Sequence, residues 1–99
     1  TSNTTMSHHH ALKINVLDDL ESLFKNAPTK ESLKPLYVYY LYFIGEYEKT
    51  IAYLQTLLQK NPSQSYRVLL AQTYFKINDQ AASAKIMLEL IKDAGKLEK

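Results

Sequence analysis

The sequence predicts one all-α domain of five helices, in which two helix–turn–helix pairs follow a single N-terminal helix. Three observations lead to this fold class. Apolar residues recur at the three- and four-residue spacing of a helix through most of the chain beyond position 10. Gly45 and Asn78, residue types that tolerate a left-handed backbone, stand at the turn within each pair. The 99 residues, of which 45% are hydrophobic, can form one small core but not two.

Residues 1–10 are left out of the predicted fold and are expected to be a disordered tail or a cloning remnant. They include three adjacent histidines, His8, His9 and His10, but no carboxylate. A metal site is usually built from ligands held in a fixed geometry by a second shell of partners. Neither a metal nor a cofactor is therefore predicted.

The first helix is predicted over residues 11–26. Pro28 ends it, because the residue before a proline avoids the helical region. Leu17 and Phe24 widen its expected buried stripe, which consists of Leu12, Val16, Leu20 and Leu23.

The second helix, residues 33–44, is apolar or aromatic around its whole circumference (LKPLYVYYLYFI). Such a run can also be a buried strand, but about twelve residues exceed the usual length of a strand. We therefore predict a helix that is covered on several sides or keeps one side for a partner. Gly45 caps its C-terminus.

The third helix is predicted over residues 46–60 and ends at Asn61–Pro62. It presents one apolar face, which consists of Tyr47, Ile51, Leu54 and Leu58, with Leu57 beside them.

The second pair consists of helices predicted over residues 66–77 and 80–93. Ser63 or Ser65 can cap the first of them, and Asn78-Asp79 makes the turn between them. Gly95 is expected to end the last helix, with residues 96–99 frayed. The expected buried stripes are Leu70, Tyr74 and Ile77 with Leu69 nearby in the first helix, and Ala84, Met87, Leu88 and Ile91 in the second.

A shift of 33 residues aligns the two pairs with each other. Core and turn positions coincide: Val38 with Ala71, Leu41 with Tyr74, Gly45-Glu46 with Asn78-Asp79, Leu54 with Met87, and Leu57-Leu58 with Leu90-Ile91. The segment GEYEKTIAYLQTLLQKNP, which ends at Pro62, resembles the tetratricopeptide repeat, a unit of about 34 residues that ends in proline. The resemblance covers about residues 31–95. It departs from the family at Lys34 and Arg67, where tryptophan is usual, and at Thr50 and Ser83, where alanine is usual.

The resemblance implies a right-handed superhelix in which the first helix of each pair lines a concave groove and the N-terminal helix caps the first pair. Tyr37, Leu41 and Ile44 are then expected to pack inward. The implied protein-binding groove comprises Leu36, Tyr39, Tyr42, Phe43, Val68, Gln72, Phe75 and Lys76. Such a surface fits an amphipathic helix or an extended peptide. The same aromatic residues could instead pack against the N-terminal helix or mediate self-association.

Composition and motifs disfavour the other function classes. A formal net charge of +2, with acids and bases spread along the chain, does not predict a nucleic-acid surface. The sequence shows neither a poised base nor paired acids, so it does not indicate an enzyme. No apolar run reaches the ~20 residues of a membrane span, and the lack of cysteine is compatible with a reducing cytoplasm.

The predicted function is therefore a non-enzymatic protein–protein interaction module in the cytoplasm, an adaptor or chaperone that binds a segment of another protein. The family's clamp for acidic chaperone C-termini is not matched, since Lys76 is its lone candidate residue. The alternative function is a structural helical domain that self-associates, for example as a homodimer. A fragment of a longer repeat protein is also compatible with the sequence.

Overall fold

The computed structural model describes residues 16–98, with side chains up to Lys96. This part of the chain is all-helical, as predicted, and contains no strand. A 3-10 turn, Glu31–Leu33, leads into the second helix. The helices are α1 (residues 16–23), α2 (Lys34–Phe43), α3 (Tyr47–Lys60), α4 (Gln64–Lys76) and α5 (Gln80–Glu98). We call α2 and α3 the first repeat, and α4 and α5 the second repeat.

Helix α1 confirms the first predicted helix over residues 16–23. The expected tail, its three histidines and Leu12 lie outside the described residues. The helix stops before the expected end at Asn26, because residues 24–26 already form the turn that leads to Pro28.

Among the described residues of α1, the predicted buried stripe is present only at Leu20, which is partly buried. Val16, Leu17 and Leu23 are all exposed. The Phe24 ring, by contrast, meets the Tyr37 ring edge to face at a centroid distance of 5.4 Å. Tyr37 is the last residue of one compact unit, and Val38 is the first residue of another.

The turn of the first repeat is a left-handed helix C-cap, as predicted. Gly45 has a φ of +84°. Its N–H donates to the Tyr42 carbonyl oxygen at 3.1 Å, and the Glu46 N–H donates to the Leu41 carbonyl oxygen at 3.0 Å. These two bonds form a Schellman motif, which satisfies carbonyl groups at the end of α2.

The turn of the second repeat reproduces this motif 33 residues later. Asn78 has a φ of +68°. Its N–H donates to the Phe75 carbonyl oxygen at 3.0 Å, and the Asp79 N–H donates to the Tyr74 carbonyl oxygen at 2.9 Å. Asp79 also caps α5, since its Oδ1 accepts the Ala82 N–H at 3.1 Å. The internal repeat is therefore present in the hydrogen bonds as well as in the residue pattern.

Two hydroxyl residues occupy matching buried positions in α3 and α5. Thr50 is fully buried, and its Oγ1 donates to the Glu46 carbonyl oxygen of its own helix at 2.7 Å. Ser83, 8% exposed, instead donates from Oγ to the Ala71 carbonyl oxygen of α4 at 2.7 Å. A buried hydroxyl without a partner is costly, and each repeat satisfies its hydroxyl differently. The Ser83 bond ties α5 to α4.

The core lies among α2, α3 and α4. Helix α3 packs on α4, and α4 packs on α5. Leu41 is buried as expected, but Ile44 and Ile77, which were expected inside, are 46% and 41% exposed, because both follow the last residue of their helices. The buried cluster consists of Val38, Leu54, Leu57, Leu69 and Leu70.

Ser63, and not Ser65, caps α4, and its Oγ accepts the Tyr66 N–H at 3.3 Å. The prediction that Gly95 ends the last helix is wrong, because α5 continues to Glu98. Gly95 does not adopt a positive φ, unlike Gly45. It therefore lies in the helix as an unfavourable helix residue and not as a cap.

The predicted buried face of α5 is also wrong. Leu90 and Ser83 are buried and Ile86 is partly buried, so these residues face α4. An ion pair between Arg67 Nη1 and Asp93 Oδ2, 2.9 Å apart, joins α4 to the same side of α5. The residues expected to be buried are exposed instead: Ala84, Met87, Leu88 and Ile91.

Candidate protein-interaction groove

An open groove of about 270 Å³ runs between the C-terminal ends of α2 and α4 and the first half of α5. We call it the aromatic groove. Its lining is mainly apolar and consists of Tyr42, Ala71, Gln72, Phe75, Lys76, Ser83 and Met87. Four of these residues, Tyr42, Gln72, Phe75 and Lys76, were predicted from the sequence. The other three come from the buried side of α4 and from α5.

The two aromatic walls occupy equivalent places in the two repeats. Tyr42 and Phe75 each lie in the last turn of their helix, 33 residues apart. The carbonyl group of each accepts a bond from the left-handed residue of its turn, Gly45 or Asn78. The repeated turn motif therefore sets the backbone that carries both walls of the groove.

Neighbouring rings hold Tyr42 in place. Its ring meets that of Tyr47 at a centroid distance of 5.7 Å and an interplanar angle of 66°. It meets that of Phe43 at 5.9 Å and 73°. Edge-to-face pairs of this kind contribute about 0.5–1.5 kcal/mol beyond their burial. Tyr42, which is partly buried, is thus ordered before any ligand arrives.

The floor of the groove is made of small residues. Ala71 is 2% exposed and Ser83 is 8% exposed. Since the Ser83 hydroxyl already donates to the Ala71 carbonyl oxygen, it does not need a partner from a ligand. The floor therefore behaves as an apolar surface, and its small side chains leave the volume of the groove open.

The rim of the groove carries its exposed side chains. Phe75 is 62% exposed and Met87 is 44% exposed. Gln72 and Lys76 are exposed polar residues of α4, and among the described residues Lys76 takes part in no ion pair. Apolar walls with a polar rim are typical of protein-binding surfaces.

The remaining predicted site residues lie elsewhere. Tyr39 and Val68 line a second, more polar depression of about 290 Å³ together with Gln64 and Ser65. Phe43 is 79% exposed beside Tyr42 but does not line the aromatic groove. Leu36 is 58% exposed and lines neither depression. The predicted set is therefore divided, and its binding role stays a prediction.

The sequence contained a signal for the groove residues that were not predicted. The 33-residue register pairs Ser83 with Thr50 and Ala71 with Val38. In each pair the second repeat has the smaller residue, so the second repeat leaves space where the first is filled. Met87 belongs to the face of α5 that was expected to be buried, and for that reason it was not considered as a surface residue.

The aromatic groove offers a ligand apolar and hydrogen-bonding contacts. Residues 16–98 contain no group of three potential metal ligands, and none of their helices is long and apolar enough to cross a membrane. Comparisons with family models, curated proteins and solved structures find no match.

Proposed function

We propose that this chain is a protein-interaction module, an adaptor or chaperone of the tetratricopeptide type, that holds a helical or extended segment of another protein in the aromatic groove. The observation that carries the proposal is the exposed Phe75, which stands with the ordered Tyr42 over a floor of small buried residues. The proposal places the module in the cytoplasm, a location with which its lack of cysteine is compatible.

The energetics favour a protein segment as the ligand. Burying an exposed phenylalanine contributes about 1.5–3 kcal/mol, and aromatic residues are enriched among those that dominate interface energies. Because Tyr42 is already ordered by ring contacts, binding loses little side-chain entropy there. Lys76 at the rim favours a ligand with an acidic residue next to its apolar anchor.

The size of the groove agrees with an anchoring side chain. Its volume of about 270 Å³ is close to the lower limit of small-molecule sites, roughly 300 Å³. Such a volume suits one apolar side chain of a peptide whose backbone crosses the open rim. Met87 suits a wall that receives such a side chain, since methionine adapts its shape to different partners.

The test is a selection of displayed peptides on the purified chain, followed by affinity measurement on groove variants. We expect Tyr42→Ala/Phe75→Ala to weaken the selected peptides at least about 30-fold, which corresponds to roughly 2 kcal/mol. Leu36→Ala is the matched control, because Leu36 is 58% exposed, close to the 62% of Phe75, and does not line the groove. The affinity of this control variant for the selected peptides should stay within about threefold of the parent's affinity.

The proposal is wrong if the folded groove variant binds the selected peptides as tightly as the parent does. Circular dichroism and a denaturation curve on each variant distinguish the loss of the site from the loss of the fold.

The alternative function is a self-associating structural domain. It is supported by Phe43, whose ring is 79% exposed outside the groove. Light scattering distinguishes it, since Phe43→Ala would then dissociate an oligomer of the parent.

A further inference from the structure

The outward side of α5 carries an apolar stripe. Leu88 is 52% exposed, Ile91 is 64% exposed, and Ala84 is exposed as well. Together with Gly95 these residues follow each other at spacings of four, three and four, which places them on one line along the helix. We call this line the α5 stripe. Leu88 and Ile91 do not line the aromatic groove, so the stripe is a separate surface.

The first repeat shows how the equivalent surface of α3 is covered. The 33-residue register pairs Ala84 with Ile51 and Ile91 with Leu58. Ile51 and Leu58 are partly buried and pack against the core cluster, to which α4 contributes Leu69 and Leu70. In the first repeat, therefore, the core cluster covers part of this face. Gln55, the counterpart of Leu88, is exposed and donates from Nε2 to the Tyr74 hydroxyl of α4 at 3.3 Å.

The inward sides of α3 and α5, by contrast, do not differ. Leu57 of α3 and Leu90 of α5 are equivalent residues on the inward side, and they are 9% and 8% exposed. The inward sides of the two helices are thus packed alike. Only the outward side of α5 lacks, among the described residues, the helix that its counterpart has.

A positively charged edge follows the α5 stripe. Lys85, Lys92 and Lys96 come directly after Ala84, Ile91 and Gly95, and Glu89 comes directly after Leu88. The spacings of four, three and four put these charged residues on one line beside the stripe. Three lysines against one glutamate leave this edge positive. None of the three lysines forms an ion pair with a described residue.

The charge of this edge argues against an antiparallel second copy of the chain as the occupant. In a two-fold symmetric pair of antiparallel helices, each edge of the helix faces the same edge of its copy. The lysine edge would then face a lysine edge, and like charges facing each other disfavour association. The edge instead complements a row of acidic side chains.

We propose that the α5 stripe is a second docking surface, which binds an amphipathic helix of a partner protein through an apolar stripe with acidic residues along one edge. The bound helix occupies the place on α5 that α4 occupies on α3. Its leucine-type side chains cover Leu88 and Ile91, and its carboxylates lie against Lys85 and Lys92. A chain that binds one segment in the aromatic groove and another on the α5 stripe connects two partners.

The first experiment uses two synthetic helical peptides of about 20 residues. Both carry the same leucine stripe, but one has glutamate along its edge and the other has lysine. Fluorescence anisotropy measures their affinity for the full chain at about 50 mM and about 500 mM salt. We expect the glutamate peptide to bind at least about tenfold more tightly at the lower salt, with a smaller difference at the higher salt. Equal affinity of the two peptides overturns the proposal.

Variants of α5 separate specific docking from general attraction to a basic protein. Lys85→Glu/Lys92→Glu should invert the preference, so that the lysine peptide binds more tightly. Lys49→Glu/Lys60→Glu, which changes the net charge equally at exposed lysines of α3, should not invert it. Leu88→Gln/Ile91→Gln should weaken the glutamate peptide at least about tenfold without a change of net charge. Phe43→Gln is the matched control, since it removes an exposed apolar side chain from α2, and it should leave the affinity unchanged. Failure of the preference to invert in the folded charge variant also overturns the proposal.

Binding of the glutamate peptide to the α5 stripe is expected to be independent of the aromatic groove. Tyr42→Ala/Phe75→Ala should leave binding of the glutamate peptide unchanged, whatever it does to a groove ligand. Light scattering tests the remaining occupant. If the parent forms a dimer that Leu88→Gln/Ile91→Gln dissociates, a second copy covers the stripe and the proposed partner helix is wrong.

Discussion

The two repeats share their turns and the packing of Leu57 and Leu90, but other apolar side chains of their second helices differ in how completely they are covered. Leu54 of α3 is fully buried, whereas Met87, its equivalent in α5, is 44% exposed. Both repeats nevertheless close with the same pair of backbone hydrogen bonds. The comparison teaches that the local structure of a repeat is set by its own residues, while the burial of its outward face depends on the next helix.

The largest expected effect concerns this pair of equivalent residues. Leu54→Ala should lower the free energy of unfolding by about 3 kcal/mol, because it leaves a cavity in a packed cluster. Met87→Ala should cost less than about 1.5 kcal/mol, since solvent already reaches the side chain. Urea denaturation of both variants measures the two values. Equal losses would mean that the two faces are covered alike in solution.

The turns allow a second comparison. Gly45→Ala should cost about 1–2 kcal/mol, because alanine is strained at a φ of +84° even though no atom lies within 4 Å of its Cβ. Asn78→Gly should be neutral or slightly stabilising, since glycine adopts a φ of +68° without strain. Thermal denaturation compares the two variants. A destabilised Asn78→Gly protein would show that the Asn78 side chain contributes something beyond its backbone conformation.

The buried hydroxyls allow a third comparison. Ser83→Ala should cost about 1 kcal/mol, because it removes a buried hydrogen bond between α5 and α4. Thr56→Ala is the control. Its Oγ1 donates only to Ala52 of its own helix, at an exposed site, so its loss should stay within about 0.5 kcal/mol. If the two variants lose the same free energy, the bond between the helices adds nothing to stability.

The smallest expected effect concerns the ends of the repeats. Asn61-Pro62 follows the end of α3, whereas Gly95 lies inside α5. Gly95→Ala should raise the free energy of unfolding by about 0.5 kcal/mol, because alanine favours the helix and has open space there. The same substitution at Gly45 should have the opposite sign. A destabilising Gly95→Ala would indicate that α5 does not stay helical at Gly95 in solution.

Much of the fold was predictable because it depends on local chemistry. Gly45 and Asn78 marked the turns, since few residue types adopt a positive φ, and Pro28 and Pro62 marked helix ends. The wrong prediction that the last helix ends at Gly95 also came from such a local signal. Glycine permits a left-handed cap but does not require one, and at Gly95 the chain continues as a helix.

The aromatic groove was only partly predictable. Tyr42 and Phe75 could be placed from the repeat, because equivalent residues of equivalent helices share a direction. Met87 and Ser83 could not, since helix α5 is apolar on more than one side and its periodicity does not say which side meets α4. Ser83 and Leu90 face inward in the structure, and Met87 is left at the groove.

By itself the sequence determined the helices, their turns and the 33-residue register, because each follows from hydrogen bonds and backbone preferences within a few residues. Only the tertiary structure decided which apolar side chains are buried and which remain at the surface. That choice depends on contacts between helices, such as the Ser83 bond to Ala71 and the Arg67 ion pair with Asp93. That choice leaves Met87, Leu88 and Ile91 exposed. Met87 contributes to the aromatic groove, and Leu88 and Ile91 contribute to the proposed second docking surface.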